Sequence, residues 1–238
     1  RGDRGRPQVL LECRRGRERS QAKGLWKCKE AIADLNDRRI QKMDLRARLS
    51  PAVSAYEGIQ YQYMAPKIMG SGELDYLEEH LRILSGFYGI WRPFDGVRPY
   101  RLEMQAGVLL EAGGKTFKSL YAFWGDSLYR ELTAKDRVIV NLASKEYSQC
   151  IYKFLTPSVQ FITCVFAQVH HGKVLEKGTL CKMARGEMVR YMAQRDIDRP
   201  EQLRDFDLLG YRYTPDLSDK NSFVFLREIA TPDDIDSP

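Results

Sequence analysis

No run of 18 or more apolar residues occurs in this chain, so no membrane-spanning helix is expected. The Arg-rich start lacks the apolar segment of a secretory signal, which leaves the cytoplasm as the expected location. Histidine is scarce: there are three, and two of them are the adjacent pair His170 and His171. Neighbours on a strand point to opposite faces, so that pair makes a poor joint metal ligand. No metal or other cofactor is expected. The five cysteines are Cys13, Cys28, Cys150, Cys164 and Cys181. They form no C-x-x-C pair, which argues against a zinc ribbon and a thioredoxin-like couple. Scattered thiols in odd number fit free, buried cysteines in a reducing compartment. The motifs G-x-S-x-G, H-E-x-x-H and the P-loop are all missing, so no catalysis is assigned from motifs.

What is present begins with a core. Hydrophobic residues make up 43% of 238, enough for one packed domain. The net charge of +6 invites a nucleic-acid partner. Its distribution is uneven. Residues 1–50 hold 15 Lys+Arg against 7 Asp+Glu, whereas the other 188 hold 23 against 25. A DNA-binding argument must therefore rest on local clusters and not on the overall charge.

Along the chain, residues 1–23 are rich in Arg and Gly and are read as a disordered segment outside the packed domain. Deletion of residues 1–20 is expected to leave the melting temperature nearly unchanged. Leu25, Cys28, Ile32 and Leu35, then Ile40, Met43 and Leu45, recur at helical spacing. Ser50 and Pro51 read as the N-cap and first residue of a short helix. Leu74, Leu77, Leu81 and Leu84 make one stripe of a helix over 73–84, with Gly86 placed to cap it. Residues 87–114 read as irregular. A helix capped by Thr116 is expected to run to about Thr133, with Leu120, Phe123, Trp124, Leu128 and Leu132 inward. Val138 to Ala143 reads as a buried strand. A helix over 145–155 follows, then strands over 159–169 and 174–180 joined at His171-Gly172. Ala184, Met188, Tyr191 and Met192 mark one face of a helix. Pro200 opens another helix, and 211–213 and 223–226 read as the last strands. Residues 229–238 are an acidic tail. Without strict βαβ alternation, the fold class is α+β: a single compact domain with a mixed sheet and surrounding helices.

Residues 80–104 carry the densest block of distinctive sequence, from His80 through Ser85-Gly86-Phe87-Tyr88-Gly89 to Tyr100-Arg101-Leu102-Glu103-Met104. Phe123-Trp124-Gly125-Asp126, Asn141-Leu142-Ala143-Ser144 and Glu146-Tyr147 follow. Lys182-Met183-Ala184-Arg185-Gly186, Pro200-Glu201-Gln202-Leu203, Gly210-Tyr211 and Phe223-Val224-Phe225 complete an ordered series. On these motifs the chain resembles the YaaA family of bacterial peroxide-stress proteins over residues 24–228. Family members open with a strand and a Ser-Pro-Ala-Lys turn, and residues 1–24 contain no such turn. The resemblance implies an α+β fold with a positively charged cleft, a helix-hairpin-helix-like element and DNA binding. It also implies a role in tolerance of hydrogen peroxide, with less oxidative DNA damage and less free iron.

The residues can also be weighed without the resemblance. Gly86 and Gly89 could bring backbone N–H groups up to a phosphate, although a helix cap followed by a turn explains them as well. Arg82, Arg92, Arg98 and Arg101 form a basic block, in which Arg101 could equally pair with Glu103 or Asp126. The interleaved Phe87, Tyr88, Trp91, Phe94 and Tyr100 could stack on unpaired bases or simply fill the core. Lys182 and Arg185 share a helical face, extended by Arg190 and Arg195, and the plain alternative is a solvated face. The two basic groups are expected to wall one cleft that contacts DNA, duplex or locally unpaired. A second reading keeps the cleft but makes the protein a nucleobase- or nucleotide-processing enzyme. Glu103 and Asp126 would then do acid–base work, with Tyr100, Ser144 and Glu146 as further candidates.

Overall fold

A computed structural model describes residues 5–15, 30–47, 49–170 and 173–227. The chain forms both helices and sheets, as an α+β fold requires. It is divided between two packed units, each built from three separate stretches of sequence. The first holds residues 1–55, 81–136 and 143–156, and the second holds 56–80, 137–142 and 157–238.

The second unit is organised by strand alternation. Strand β8 (Gln160–His170) carries Ile162, Cys164 and Phe166 on one face, all buried. Strands β7 (Val138–Asn141) and β11 (Ser222–Arg227) run parallel to it on opposite sides. The antiparallel strands β10 (Tyr211–Tyr213) and β9 (Lys173–Leu175) make the sheet mixed. The last helix, α9 (Gly178–Gln194), buries Cys181, Ala184, Met188 and Tyr191, spaced 3, 4 and 3 residues apart. They meet Phe223, Phe225, Phe206 and Tyr211 in one cluster. Phe166 stacks on Phe225 at 5.2 Å and meets Tyr211 edge-on.

Helix α4 (Ile59–Met64) packs on α9, and Gly186 is the reason it can. A Cβ at Gly186 would stand 2.0 Å from the Gln60 carbonyl oxygen. The close approach that this glycine permits is thus to the chain's own backbone. Helix α5 (Ser71–His80) is tied to the same unit by the Tyr76 hydroxyl, which donates to the Ile197 carbonyl at 2.7 Å.

In the first unit, helix α1 (Gly5–Arg15) buries Pro7, Leu10 and Leu11. Its Arg6 guanidinium donates to the Phe123 and Trp124 carbonyls at 2.7 and 3.0 Å and lies over both rings. Those carbonyls end helix α6 (Leu120–Trp124), where a helix leaves acceptors unpaired and favours a cation. Residues 5–15 are therefore a docked helix, not the disordered segment their composition implies, because two leucines and one arginine anchor them. Residues 1–4, 16–29 and the tail 228–238 lie outside the described residues.

Several local readings change for identifiable reasons. Ser50–Pro51 is a short strand, β1, paired with β4 (Gly96–Val97), and helix α3 (Ala52–Ala55) starts after it. The leucine stripe continues past the end of α5, but Ile83–Ser85 is strand β2, paired with β3 (Gly89–Trp91). The Gly86–Gly89 segment is hence the turn of a β-hairpin and not part of a helix-hairpin-helix. Within the expected irregular and helical stretches, β5 (Gly107–Ala112) and β6 (Lys115–Ser119) form a second hairpin. Its Gly113 and Gly114 both take positive φ, as a tight two-residue turn demands. Ser119, not Thr116, caps α6, and Gly125 separates α6 from α7 (Ser127–Leu132). Leu81, Leu84, Leu132, Met192 and Val140 are only partly buried, and Val138 is exposed because β7 is an edge strand.

Two expectations on stability follow. Leu10→Ala and Leu11→Ala should each cost about 2–5 kcal/mol in denaturant unfolding, as core truncations do. Unchanged midpoints would mean that α1 does not dock in solution. Gly186→Ala should cost about 3 kcal/mol or abolish folding, because the clash is with backbone. Gly72→Ala, where nothing lies within 4 Å of the added Cβ, should change stability by less than about 1 kcal/mol.

Candidate functional site

The site is best built from helix α2 (Glu30–Gln41). Its inward face is Asn36 and Ile40, continued by Met43 just past its end, while Leu35 of the expected stripe is half-exposed. A buried amide is costly unless both its ends are satisfied. The Asn36 nitrogen donates to the Arg101 carbonyl at 2.7 Å, and the Arg101 N–H donates to Asn36 Oδ1 at 2.6 Å. This two-point clamp fixes α2 against residues 98–103. Arg38 and Arg39 in the last turn of α2, and Lys42 just past its end, are exposed. With Arg98 and Pro99 they line an open concavity of about 340 Å³. Arg38, Arg39 and Lys42 have no side-chain hydrogen bond or ion pair among the described residues. Arg98 is positioned through its backbone N–H, which donates to the Tyr88 hydroxyl at 3.0 Å.

The basic block read from the sequence is dispersed by the fold. Arg101 is paired with Glu103 at 2.5 Å, one of the two partners considered for it. Burial raises the Glu131 carboxyl above the usual carboxylate range; Asp95 adds to the rise, and Arg82 and Arg92 oppose it. Arg82 and Arg92 therefore lie in a mixed acidic and basic neighbourhood. Arg98 is the member of the block that joins the concavity. Arg38, Arg39, Lys42 and Asn36 were missed because the excess charge of residues 1–50 was set aside as a whole. Cations at i, i+1 and i+4 opposite a buried stripe were the available clue.

Gly86 and Gly89 are both buried, and their close approaches are internal. A Cβ at Gly86 would lie 2.6 Å from the Leu102 carbonyl oxygen, and the Trp124 indole N–H donates to Gly86 O at 3.0 Å. Gly89, at φ +86, sits against the Trp124 ring. Backbone N–H groups here are not presented to an outside phosphate. The nearby aromatics also face one another: Phe87, Tyr88, Trp91 and Tyr100 form a chain of ring contacts between 4.7 and 5.2 Å. Of the five, Phe94 is the exposed one. The Ser85 hydroxyl bonds the Tyr100 hydroxyl and accepts from Phe87 and Tyr88 N–H, which closes the hairpin turn.

The carboxylates have local partners. Glu103 pairs with Arg101, and Asp126 pairs with Arg130 at 2.7 Å across one helical turn. Glu146 accepts from the Gln105 N–H at 3.2 Å, and Ser144 stands at the start of helix α8 (Lys145–Tyr152) without a side-chain cap bond. In the second unit, Lys182 is exposed on α9. Arg185 is mostly buried and pairs with Glu176 at 3.6 Å, and Arg190 pairs with Glu187 at 3.9 Å. Cys150, Cys164 and Cys181 are free and buried. Burial pushes the thiols of Cys150 and Cys164 up to about 12 and also raises that of Cys181. No group of three metal-ligating side chains comes together among the described residues.

Known proteins resemble this chain closely. The sequence pattern of the family described as Peroxide stress protein YaaA matches residues 6–217, an onset 18 residues before the one the motifs alone implied. A UPF0246 protein of Agathobacter rectalis is 50% identical over 221 residues, 93% of this chain and 87% of that protein. A UPF0246 protein of Desulfitobacterium hafniense is 53% identical over 203 residues, 85% of this chain and 79% of that protein. With helix α1 inside the matched span and half of all positions shared with such relatives, the chain belongs to the YaaA family of peroxide-stress proteins.

Proposed function

We propose that this family member binds DNA in the cytoplasm, and in that way limits oxidative DNA damage and free iron during hydrogen peroxide stress. The observation that carries the binding is the concavity of Arg38, Arg39, Lys42 and Arg98. Like charges gathered on one surface repel one another, and an anion relieves that repulsion. Arg101, Arg130, Arg185 and Arg190, by contrast, are each paired with a carboxylate. Exposed Lys182 and Arg92 are further candidates for phosphate contact. The enzyme reading draws no support from Glu103 and Asp126, each of which already neutralises an arginine.

Phosphate contacts act by releasing counterions, so affinity for duplex, single-stranded and bubble DNA should fall steeply with salt. Arg39→Gln with Lys42→Gln should lower the log–log salt slope by roughly two, and Lys182→Gln by roughly one, for all sequences alike. An unchanged slope in the double variant would remove the concavity from the binding surface.

The raised thiols bear on how the protein meets peroxide. The thiolate is the reactive species, so a thiol held near 12 presents very little of it at neutral pH. Cys150 and Cys164 should react with iodoacetamide at pH 8 on the order of a thousandfold more slowly in the native protein than after unfolding. Rapid native labelling of either would point to direct thiol chemistry with peroxide in place of DNA binding.

A further inference from the structure

We infer that the concavity of Arg38, Arg39, Lys42 and Arg98 is a receptor for a phosphate monoester, the doubly charged group of a DNA strand end or a free nucleotide. It is not a track for the phosphodiesters along a strand. The inference takes the anion-binding role of this site from the function proposed above and names its chemistry.

Three observations carry it. The first is shape. A surface that follows a nucleic-acid backbone spreads its cations along a groove, because the phosphates themselves are spread. Here three cations lie within five consecutive residues of one helix end, a fourth arrives from residue 98, and all line one concavity. The second is charge. Arg38, Arg39 and Lys42 have no ion-pair partner among the described residues. The nearest carboxylates in sequence, Asp37 and Asp44, form no ion pair with them, and the partial negative charge at a helix C-terminus is only about half a unit. A phosphodiester brings one charge, whereas a monoester brings about two together with three acceptor oxygens. Two guanidinium forks and an ammonium match those oxygens.

The third observation is pre-organisation. The clamp between Asn36 and the Arg101 backbone holds α2 against the segment that carries Arg98. The Tyr88 hydroxyl fixes the Arg98 backbone. The cations thus reach one place without the ligand having to order the elements that bear them. Pro99 adds an apolar wall. The volume of about 340 Å³ is at the lower end for small-ligand sites, enough for a phosphate and its sugar.

The test uses the full chain and two matched pairs of probes. One pair is a 3′-labelled oligonucleotide with either a 5′-phosphate or a 5′-hydroxyl, and the other is AMP and adenosine. The terminal phosphate should raise affinity about tenfold or more, the effect of one charge-assisted contact. Arg39→Gln with Lys42→Gln should cut that gain to less than about twofold, with an unchanged melting temperature to show intact folding. If AMP shows the gain and no oligonucleotide binds, the monoester site stands and the DNA reading falls. If both oligonucleotides bind equally and the substitutions weaken both, the DNA reading stands and this inference is overturned. A phosphate gain that survives the substitutions places the monoester elsewhere and also overturns it, as does equal binding of AMP and adenosine.

Discussion

Two hydrogen bonds from one buried side chain set the geometry on which the candidate site depends. Asn36 spends both ends of its amide on the backbone of Arg101. Residues 98–106 form no helix or strand of their own, so their polar backbone groups need partners from elsewhere. Asn36 supplies two, and the Tyr88 hydroxyl supplies a third. Gly86 lets the hairpin turn lie directly on Leu102, and the Ser85–Tyr100 bond ties the same two segments together. An irregular stretch is thereby held as firmly as a strand would be. Its charged contribution to the concavity, Arg98, gains a defined position relative to α2.

The charges then divide into two kinds. Arg101, Arg130, Arg190 and Arg199 each sit beside a carboxylate that is close in sequence or across one helical turn, an arrangement worth little energy but sufficient to weaken the local field. The cations of α2 are arranged otherwise. Arg38, Arg39 and Lys42 form no ion pair among the described residues, and a concave surface concentrates their field. This contrast, more than the net charge of +6, is the physical basis for reading an anion site on the first unit.

A peroxide-stress protein can act on the oxidant, or it can act on what the oxidant damages. Cys150, Cys164 and Cys181 lend the first route no support. All three are buried, Cys164 and Cys181 within the apolar cluster of the second unit, and Cys181 donates its S–H to the Phe166 carbonyl. Burial raises all three thiols, which leaves little of the reactive thiolate at neutral pH. The proposed role therefore rests on charge at the surface and asks no redox chemistry of these side chains.

The α+β class, the last helix, the long strand and the two closing strands were legible from the sequence because each repeats a local period. Ala184, Met188 and Tyr191, or Ile162, Cys164 and Phe166, declare their shared face whatever lies opposite. The ordered motifs likewise declared the family. The hairpin at 83–91 was not legible: Leu77, Leu81 and Leu84 keep a helical rhythm straight through it, and what overrides them is pairing with 89–91 and a glycine packed under Trp124. Helix α1 was hidden by its composition, since two leucines and an arginine outweigh the surrounding charge only once Phe123 and Trp124 stand beside them. The sequence by itself thus determined which segments have an apolar face, because that face is written in spacings of two to four residues. Which cations meet was decided only by tertiary structure, because Arg98 and α2 lie far apart along the chain and are brought together by a buried amide whose partners no periodicity reveals.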